Sequence, residues 1–358
     1  MTIVDVAREA GVSYSTVSRV INNNAHVLPE TREKVLNAMM RLGYVVNQQA
    51  RSLRGGRSQV IGLLVPDVGN NYVGEIIRGI DAELAAHQYD LMLYTTHRRK
   101  TKESTYVATI TRGMADGLLL LLPTNAREYM ESLQQQQFPH VLIDYQHVDN
   151  PLTSTVQSTN FRGAYDAMTY LIGLGHRRIG YIIGSQEMQC SLDRLDGYRA
   201  ALSDAGLPED PDLIFPGDFF RPPGYAAANH FLSLDDPPTA IFAANDLSAL
   251  GVIDSVIQHG LRVPEDISLV GFDDIIEAGH VHPGLTTVRQ PLEDMGRTAA
   301  RLLLKRLSNP DLPGERVEME TELVIRESCA PVRRRLGIAP GNSGDTDSLL
   351  AGNSSPGI

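Results

Sequence analysis

The stretch MTIVDVAREAGVSYSTVSRVINN, residues 1–23, predicts two short helices separated by a tight turn. Thr2 precedes the first apolar pattern, and Asp5 stands three positions later, as in a capping box. Gly11 is expected to end this helix, and Ser13 then provides an N-cap for the second. The apolar faces are Ile3, Val6 and Ala7 in the first helix and Val17, Val20 and Ile21 in the second. Two helices joined by a glycine-containing turn are typical of a helix-turn-helix motif.

The second of these helices exposes a row of hydrogen-bonding side chains. They are Tyr14, Ser15, Thr16, Ser18 and Arg19. Hydroxyl groups and a guanidinium are groups that contact base edges and phosphates in a major groove. The pattern therefore favours DNA binding, although an ordinary amphipathic helix pair without a nucleic-acid partner has the same periodicity.

The charge of the chain is unevenly distributed along its 358 residues, although the total is −11. Residues 1–57 contain eight Arg and Lys and four Asp and Glu, which gives +4. The remaining 24 basic and 39 acidic residues therefore give −15. A small basic segment on an acidic body predicts local affinity for phosphates without indiscriminate binding to polyanions.

The chain contains two cysteines, Cys190 and Cys329, without metal-ligand spacing or a disulfide framework. We expect both to be buried or idle thiols in a reducing compartment. The sequence begins without a secretory signal and contains no apolar run approaching about 18 residues. These observations predict a cytoplasmic protein that does not associate with a membrane.

A third helix is predicted from Pro29 to Leu42, with Gly43 as its C-terminal stop. Its core-facing residues are expected to be Val35, Leu36, Met39 and Leu42. The segment NQQARSLRGGRSQ, residues 47–59, follows and combines helix formers with glycines and arginines. It is either a plain linker or a short helix whose Leu53 enters a minor groove as an apolar wedge.

From Val60 onward, apolar strands alternate with helical patterns. The segments with strands are VIGLLVPD (60–67), YDLMLYTT (89–96), GLLLLLP (117–123), HVLIDY (140–145), RIGYIIGS (178–185), TAIFAAND (239–246) and ISLVGFDD (267–274). This alternation predicts doubly wound parallel sheets, and its second pass from residue 178 predicts two similar α/β lobes with a cleft between them. A helix of the second lobe is expected over residues 196–205.

The fold class is thus a small all-α head followed by an α/β two-lobed core. We divide the chain into a helix-turn-helix head, a hinge, a core and a tail, at residues 1–46, 47–58, 59–331 and 332–358. The tail is rich in Gly, Ser, Asn and Pro and is expected to be disordered.

Polar side chains follow the predicted strands of the core. They are Asp67, Asp144, Asn245, Asp246, Asp273 and Asp274, with Arg194 after a strand of the second lobe. Carboxylates, an amide and a guanidinium at the ends of strands suit a polyhydroxylated ligand. Asp and Asn also cap helices that follow strands, so we expect part of this set to be structural. Tyr72, Phe219 and Phe220 are candidates for apolar walls of a cleft or for plain core residues.

Sequence signals for catalysis are poor. The chain has no G-x-S-x-G nucleophile elbow, no phosphate-binding loop and no Cys/His cluster. Asp273–Asp274 is a weak metal candidate because adjacent residues of a strand point to opposite faces. The basic run His97–Lys100 is expected to be a solvated loop. We therefore predict no catalytic residue, no metal and no cofactor.

Together these segments resemble the LacI/GalR family of bacterial transcription regulators over residues 2–330. The matching segments are IVDVAREAGVSYSTVSRVINN, ETREKVLNAMMRLGY, NQQARSLRGG, IGLLVPD, RLDGYRAAL, AANDLSALG and VGFDD with PGLTTVRQP. The resemblance implies a homodimer whose paired heads bind near-palindromic operator DNA. It also implies a core similar to periplasmic sugar-binding proteins, which binds a small-molecule effector.

The resemblance also assigns expected roles to particular residues. Tyr14, Ser15 and Arg19 match base-reading positions, Leu53 matches the intercalating hinge leucine, and Thr16, Ser18, Ala50 and Arg54 complete the predicted DNA-binding set. Tyr72 and Phe219 match ligand-walling positions, Arg194, Asn245 and Asp273 match polar ligand contacts, and Asp144 completes the predicted effector-binding set.

Some positions depart from the family pattern. Leu28 stands where the family usually has a serine-like helix cap, and we expect the loss of this cap to lower the stability of the head by about 1 kcal/mol. Met188 and Cys190 occupy a loop in which purine-responsive members carry polar contacts, which weakens a purine interpretation. The tail lacks the heptad repeat of members that form tetramers.

The hypothesis from the sequence is a repressor of carbohydrate-use genes that a sugar or oligosaccharide releases from its operator. A corepressor mode with a purine or sugar-phosphate effector is an alternative within the same class. Two alternatives lie outside it, namely a sugar-binding protein without a DNA role and a sugar-modifying enzyme. The former leaves residues 1–57 unexplained, and the latter lacks nucleophile, metal and phosphate motifs.

Overall fold

The computed structural model describes residues 1–21, 26–44, 57–145 and 150–332. Most of the predicted hinge, including Ala50, Leu53 and Arg54, and nearly all of the predicted tail therefore lie outside the described residues. Among the residues that are described, no helix combines the length and the apolar character needed to cross a bilayer.

The head consists of three helices, α1 (Ile3–Ala10), α2 (Tyr14–Ile21) and α3 (Pro29–Leu42). The capping box between Thr2 and Asp5 is present, and Gly11 ends α1 in the left-handed region at φ 64°. A small core forms from Val6, Ala7, Val17, Val20, Val35 and Ala38. The prediction that Leu36 faces this core is wrong, because its side chain is 45% exposed. Ala38 packs in the core instead of Leu36. Val35, Ala38 and Leu42 recur at the spacing of one helical face, whereas Leu36 is rotated about 100° from Val35 around the helix axis.

The core consists of two α/β lobes, as predicted. The first lobe contains β1 (Val60–Val65), α4 (Asn71–Ala86), β2 (Asp90–Thr95), α5 (Lys100–Ile110), β3 (Gly117–Leu121), α6 (Ala126–Gln135), β4 (His140–Ile143), β5 (Ser154–Ser158), α12 (Leu292–Ser308) and β11 (Arg316–Met319). Its strands lie in the order β11-β5-β4-β3-β1-β2, and every neighbouring pair is parallel. Strand β1 is buried throughout because successive side chains enter the apolar clusters on opposite faces of the sheet.

The second lobe repeats the pattern with one deviation. It contains α7 (Asn160–Gly173), β6 (Ile179–Ile182), α8 (Gln189–Asp204), a 3₁₀ turn (Pro211–Leu213), β7 (Ile214–Phe215), α9 (Arg221–Leu232), β8 (Ala240–Ala243), α10 (Asp246–Gln258), β9 (Ser268–Asp273), α11 (Ile276–His280), β10 (Thr286–Arg289) and β12 (Glu322–Val324). The strand order is β12-β10-β9-β8-β6-β7. The predicted parallel sheet is confirmed, with one antiparallel addition at its edge, where β12 pairs with β10. The predicted helix over 196–205 starts earlier, at Gln189.

If each lobe were one continuous stretch of the sequence, the chain would cross between the lobes once, but it crosses more often. It leaves the first lobe after β5, returns to it for α12 and β11, and then crosses again to form β12. The crossing segments bond to one another, since the hydroxyls of Thr159 and Thr321 lie 2.9 Å apart and Ser158 donates to the side-chain oxygen of Gln290. These contacts place the crossovers side by side at one edge of the cleft between the lobes.

Candidate functional site

The head presents helix α2 with its polar residues near one surface. The Ser13 hydroxyl accepts a hydrogen bond from the Thr16 amide at 3.2 Å, which provides the predicted N-cap. Ser15 and Arg19 are exposed and stand one helical turn apart, whereas Tyr14, Thr16 and Ser18 are half-buried. The structure therefore places all five predicted residues on α2, with Ser15 and Arg19 the most accessible.

The six predicted effector-binding residues line one cavity between the lobes. They are Tyr72, Asp144, Arg194, Phe219, Asn245 and Asp273. The cavity encloses about 520 Å³, including solvent at its mouth. Asn245 follows β8 and Asp273 ends β9, so parallel topology brings these two strand ends of the second lobe together, and Asp144, which follows β4 of the first lobe, meets them across the cleft.

Arg194 is the buried cation of the cavity, with only 2% of the residue exposed. Its Nε donates to the Asn160 side chain at 2.8 Å, and its Nη1 donates to the Ala244 carbonyl at 2.5 Å. The same Nη1 lies 3.5 Å from Asp273 Oδ1, and the guanidinium carbon lies 3.7 Å from the centre of the Phe272 ring. Fixed hydrogen bonds and an aromatic face thus hold the guanidinium in one orientation.

Two buried carboxyl groups face the cavity together with Arg194. Gln290 donates to Asp273 Oδ1 at 2.7 Å, and burial raises the pKa of Asp273 against the opposing effect of Arg194. The Tyr72 hydroxyl donates to Asp144 Oδ2, and burial likewise raises the pKa of Asp144. Asp144 Oδ1 is buried and accepts no hydrogen bond from the residues that the structure describes. A bound ligand with a hydroxyl donor would satisfy this oxygen.

Phe219 forms an aromatic wall on the second lobe. A side chain on Gly184 would place its Cβ 2.0 Å from the Phe219 ring, so the ring lies flat against a glycine backbone. Asn245 donates to the Phe219 carbonyl at 3.0 Å and also caps α10. Asn245 therefore lines the cavity while it fixes the loop that carries the aromatic wall.

The backbone around the cavity adopts unusual conformations. Positive φ angles occur at Arg98, Leu122, Asp144, Phe219 and Asp273, all of which line it. Non-glycine residues in this region cost about 1–3 kcal/mol each, and such strain concentrates at functional sites. The cavity therefore has the backbone signature of a ligand site as well as the side chains.

Some strand-end candidates have structural roles instead. Asp246 is fully buried and accepts hydrogen bonds from the Thr287 hydroxyl at 2.5 Å and the Ile275 amide at 2.9 Å. Asp274 turns away from the cavity and pairs with Arg289 and Arg326. Both outcomes agree with the expectation that part of the set is structural.

The sequence analysis missed Arg98. The structure contradicts the prediction that the whole run from His97 to Lys100 is a solvated loop, because Arg98 lines the cavity. Its guanidinium carbon lies 4.1 Å from the centre of the Phe220 ring, which explains why Phe220 packs there beside the wall residue Phe219. Composition alone does not distinguish Arg98 from its basic neighbours, since its role depends on a residue about 120 positions away.

Cys190 also lines the cavity, at the first turn of α8. Burial raises the pKa of its thiol to about 12 and that of Cys329 to about 11. Both thiols are therefore protonated near neutral pH and are poor nucleophiles.

Comparisons with known proteins agree with this architecture. Residues 2–47 match the family described as bacterial regulatory proteins, lacI family, and residues 168–329 match a periplasmic binding protein-like domain. The HTH-type transcriptional repressor PurR of Photobacterium profundum is 36% identical over 328 residues, covering 91% of this chain and 98% of the relative.

Solved structures of relatives extend the match to nearly the whole described chain. The transcriptional regulator CelR in complex with cellobiose is 35% identical, with a TM-score of 0.69, covering 92% of this chain and 99% of that one. The lac repressor dimer bound to operator and the anti-inducer ONPF is 27% identical, with a TM-score of 0.80 and the same coverage. The chain belongs to the lacI family of bacterial regulatory proteins and is a DNA-binding transcriptional regulator.

Proposed function

We propose that this regulator is a cytoplasmic homodimeric repressor of carbohydrate-use genes, released from its operator by a neutral sugar or oligosaccharide. The head, residues 1–46, would contact the operator through α2, and residues 47–58 would join it to the effector-binding core, residues 59–331. Arg19 and Ser15 would contact base edges, and the hinge residues Ala50, Leu53 and Arg54 would contact the minor groove.

The observation that carries the effector proposal is the chemistry of the cavity between the lobes. Asp144 Oδ1 offers a buried acceptor, Arg194 and Asn245 offer N–H donors in fixed positions, and Phe219 offers an apolar face. A sugar matches this set because its hydroxyls both donate and accept hydrogen bonds while one face of its ring is apolar.

The charge of the cavity favours a neutral ligand. Arg194 already lies beside Asp273, and Arg98 already pairs with Asp67, so neither cation is uncompensated. A sugar phosphate would bring a further negative charge close to the carboxyls of Asp144 and Asp273, which is costly in a buried site. In the corepressor alternative, the same charge argument favours a neutral sugar over an anionic effector such as a sugar phosphate.

Ligand control requires different affinities for two arrangements of the lobes. A ligand that contacts both lobes stabilises the closed arrangement, and closure would change the spacing of the paired heads on the operator. A shift from 1:99 to 99:1 between two arrangements requires about 5.5 kcal/mol of differential binding. We propose that the role is regulatory binding, with no chemical conversion of the ligand.

A thermal-shift screen of the full chain tests the effector class. Because the chain contains no Trp, an external dye reports unfolding. The probes are cellobiose, ribose, glucose, glucose 6-phosphate, hypoxanthine and guanine, with cellobiose included because CelR was solved with it. A ligand present at about 100 times its Kd stabilises the native state by about 2.7 kcal/mol, which gives a clear shift.

The pattern of hits decides between the alternatives. Stabilisation by a neutral sugar, together with weakened operator binding in a gel-shift assay, supports the proposal. Stabilisation only by a purine or by glucose 6-phosphate contradicts the neutral-sugar effector and keeps the regulator. Strengthened operator binding would establish corepression, and consumption of the sugar would establish an enzyme.

A further inference from the structure

Arg98 belongs to the first lobe but contacts the second. It lies in the loop between β2 and α5, with φ at 57°, and its amide donates to the Pro66 carbonyl at 3.0 Å. This backbone contact holds the loop against the end of β1. The Arg98 side chain is consequently directed from the strand ends of the first lobe toward the cleft.

Three contacts fix the Arg98 guanidinium across the cleft. Its Nε donates to Asp67 Oδ2 at 3.1 Å within its own lobe. Its Nη1 donates to the Asp218 carbonyl of the second lobe at 3.2 Å, and its carbon lies 4.1 Å from the centre of the Phe220 ring. An ion pair therefore orients the guanidinium, while a hydrogen bond and a cation–π contact attach it to the opposite lobe.

The loop that Arg98 holds also carries the aromatic wall of the cavity. Phe219 lies between Asp218 and Phe220, and its carbonyl accepts the hydrogen bond from Asn245. The Phe220 amide donates to Asp218 Oδ1 at 2.9 Å. The loop is thus bound by its own lobe on one side and by Arg98 on the other, so separation of the lobes would release one of its two supports.

Arg98 also retains hydrogen-bonding capacity toward the cavity. A guanidinium has five N–H donors, and only Nε and Nη1 bond to residues that the structure describes. The side chain remains 28% exposed and lines the same cavity as Arg194 and Asp144. The Nη2 donors are therefore available to an oxygen atom of a bound ligand.

We propose that Arg98 is a specificity-determining residue that binds a hydroxyl oxygen of the effector and clamps the Asp218–Phe220 loop across the cleft. This proposal rests on the proposed function for its ligand, and on the cross-lobe contacts alone for its clamp. Another cross-lobe pair, Lys100 with Glu187, is exposed on both sides and is expected to contribute less.

The test compares Arg98→Ala and Arg98→Lys with Arg99→Ala in the full chain. Arg99 is an adjacent control because it is exposed and forms no hydrogen bond or ion pair with the described residues through its side chain. Hydrogen exchange at the Phe219 and Phe220 amides measures the clamp without any ligand. Titration with cellobiose and ribose measures ligand affinity.

We expect faster exchange at these amides in Arg98→Ala and wild-type exchange in Arg99→Ala. We expect about tenfold weaker sugar binding in Arg98→Ala, and a smaller loss in Arg98→Lys because an ammonium keeps the charge without the planar fork. Equal exchange in the two alanine variants would overturn the clamp, and equal sugar affinity would overturn the ligand contact. If no sugar bound the wild-type chain, the proposed function and the ligand contact would both fail, while exchange would still decide the clamp.

Discussion

Asp273 and Asp274 are neighbours in sequence with opposite environments. Asp273 points into the cavity beside Arg194 and Gln290, whereas Asp274 forms ion pairs of 2.7 Å with Arg289 and 2.6 Å with Arg326. Asp273 ends β9 and Asp274 follows it, and positive φ angles of 114° and 55° at the two residues turn the backbone so that their side chains have different surroundings. This adjacent pair therefore offers a matched test of the proposed ligand contact of Asp273 against a structural role for Asp274.

We predict that Asp273→Asn abolishes the response to sugar while it retains operator binding. The substitution preserves the shape of the side chain but replaces one acceptor oxygen by a donor and leaves Arg194 without its carboxylate. Asp274→Asn is the matched control and should lower stability without changing ligand affinity. Gel-shift titrations with and without sugar check both variants, and an unchanged response in Asp273→Asn would remove Asp273 from the site.

We predict that Arg19→Ala weakens binding to the specific operator by about 1–3 kcal/mol, while binding to random DNA changes little. Arg19 is exposed on α2 and lies one turn from Ser15, where it is able to reach a base edge. Arg8→Ala serves as a control because Arg8 is also exposed but lies on α1. Equal losses on operator and random DNA would instead indicate a phosphate contact.

At the scale of single elements, helix α3 begins without a side-chain cap. Leu28 occupies the N-cap position and makes no capping hydrogen bond, although Pro29 gives the helix a favourable first residue. Helices α1 and α2 differ, since Thr2 and Ser13 both accept amide hydrogen bonds at their N-termini. The start of α3 therefore depends on packing against the rest of the head.

We predict that Leu28→Ser stabilises the head by about 0.5–1 kcal/mol, because a hydroxyl there accepts an amide hydrogen bond of the first turn. Leu28 is 73% exposed, so its replacement removes little buried apolar surface. Hydrogen exchange of α3 amides in the full chain should slow in Leu28→Ser. Leu28→Ala controls for the loss of the leucine, and equal protection in both variants would contradict a capping effect.

At the scale of the whole molecule, His176 joins distant parts of the second lobe. Its ring nitrogens bond to the Thr239 hydroxyl at 2.8 Å and to the Ala330 carbonyl at 3.1 Å. Burial lowers the pKa of His176 below the ordinary value of 6.5, and Arg177 lowers it further. The unfolded chain therefore binds a proton at this residue at a higher pH than the folded chain does.

We predict that the stability contributed by His176 is fully present above pH 6.5 and is lost as the pH falls below that value. The stability difference between wild type and His176→Gln should therefore narrow as the pH falls from neutral into the acidic range. Burial raises the pKa of Asp144 and Asp273, so the stability that these residues contribute changes with pH in the opposite direction. Wild type and His176→Gln both contain these two residues, so their effect cancels in the comparison. Thermal unfolding across pH measures the difference, and the exposed His280→Gln should change it little. A pH-independent difference would contradict the assignment.

The local structure of the head and seven strands of the core could be predicted from the amino-acid sequence alone, whereas the segments that form β5, β7, β10, β11 and β12 were not predicted as strands. Caps, the glycine at position 11 and apolar periodicity act between residues a few positions apart, so they are readable along the chain. That the six predicted residues line one cavity could also be predicted, because polar residues at the ends of parallel strands meet at one edge of a sheet and the family motif marks the same positions.

Three features emerge only from the folded chain, namely the role of Arg98, the return of α12 and β11 to the first lobe, and the antiparallel edge strand β12. Each of these features depends on contacts between residues far apart in the sequence. Arg98 and Arg99 have the same local chemistry, and they differ because the fold brings Asp218 and Phe220 to one of them. Long-range packing, which no local pattern encodes, selects which basic side chain belongs to the cleft.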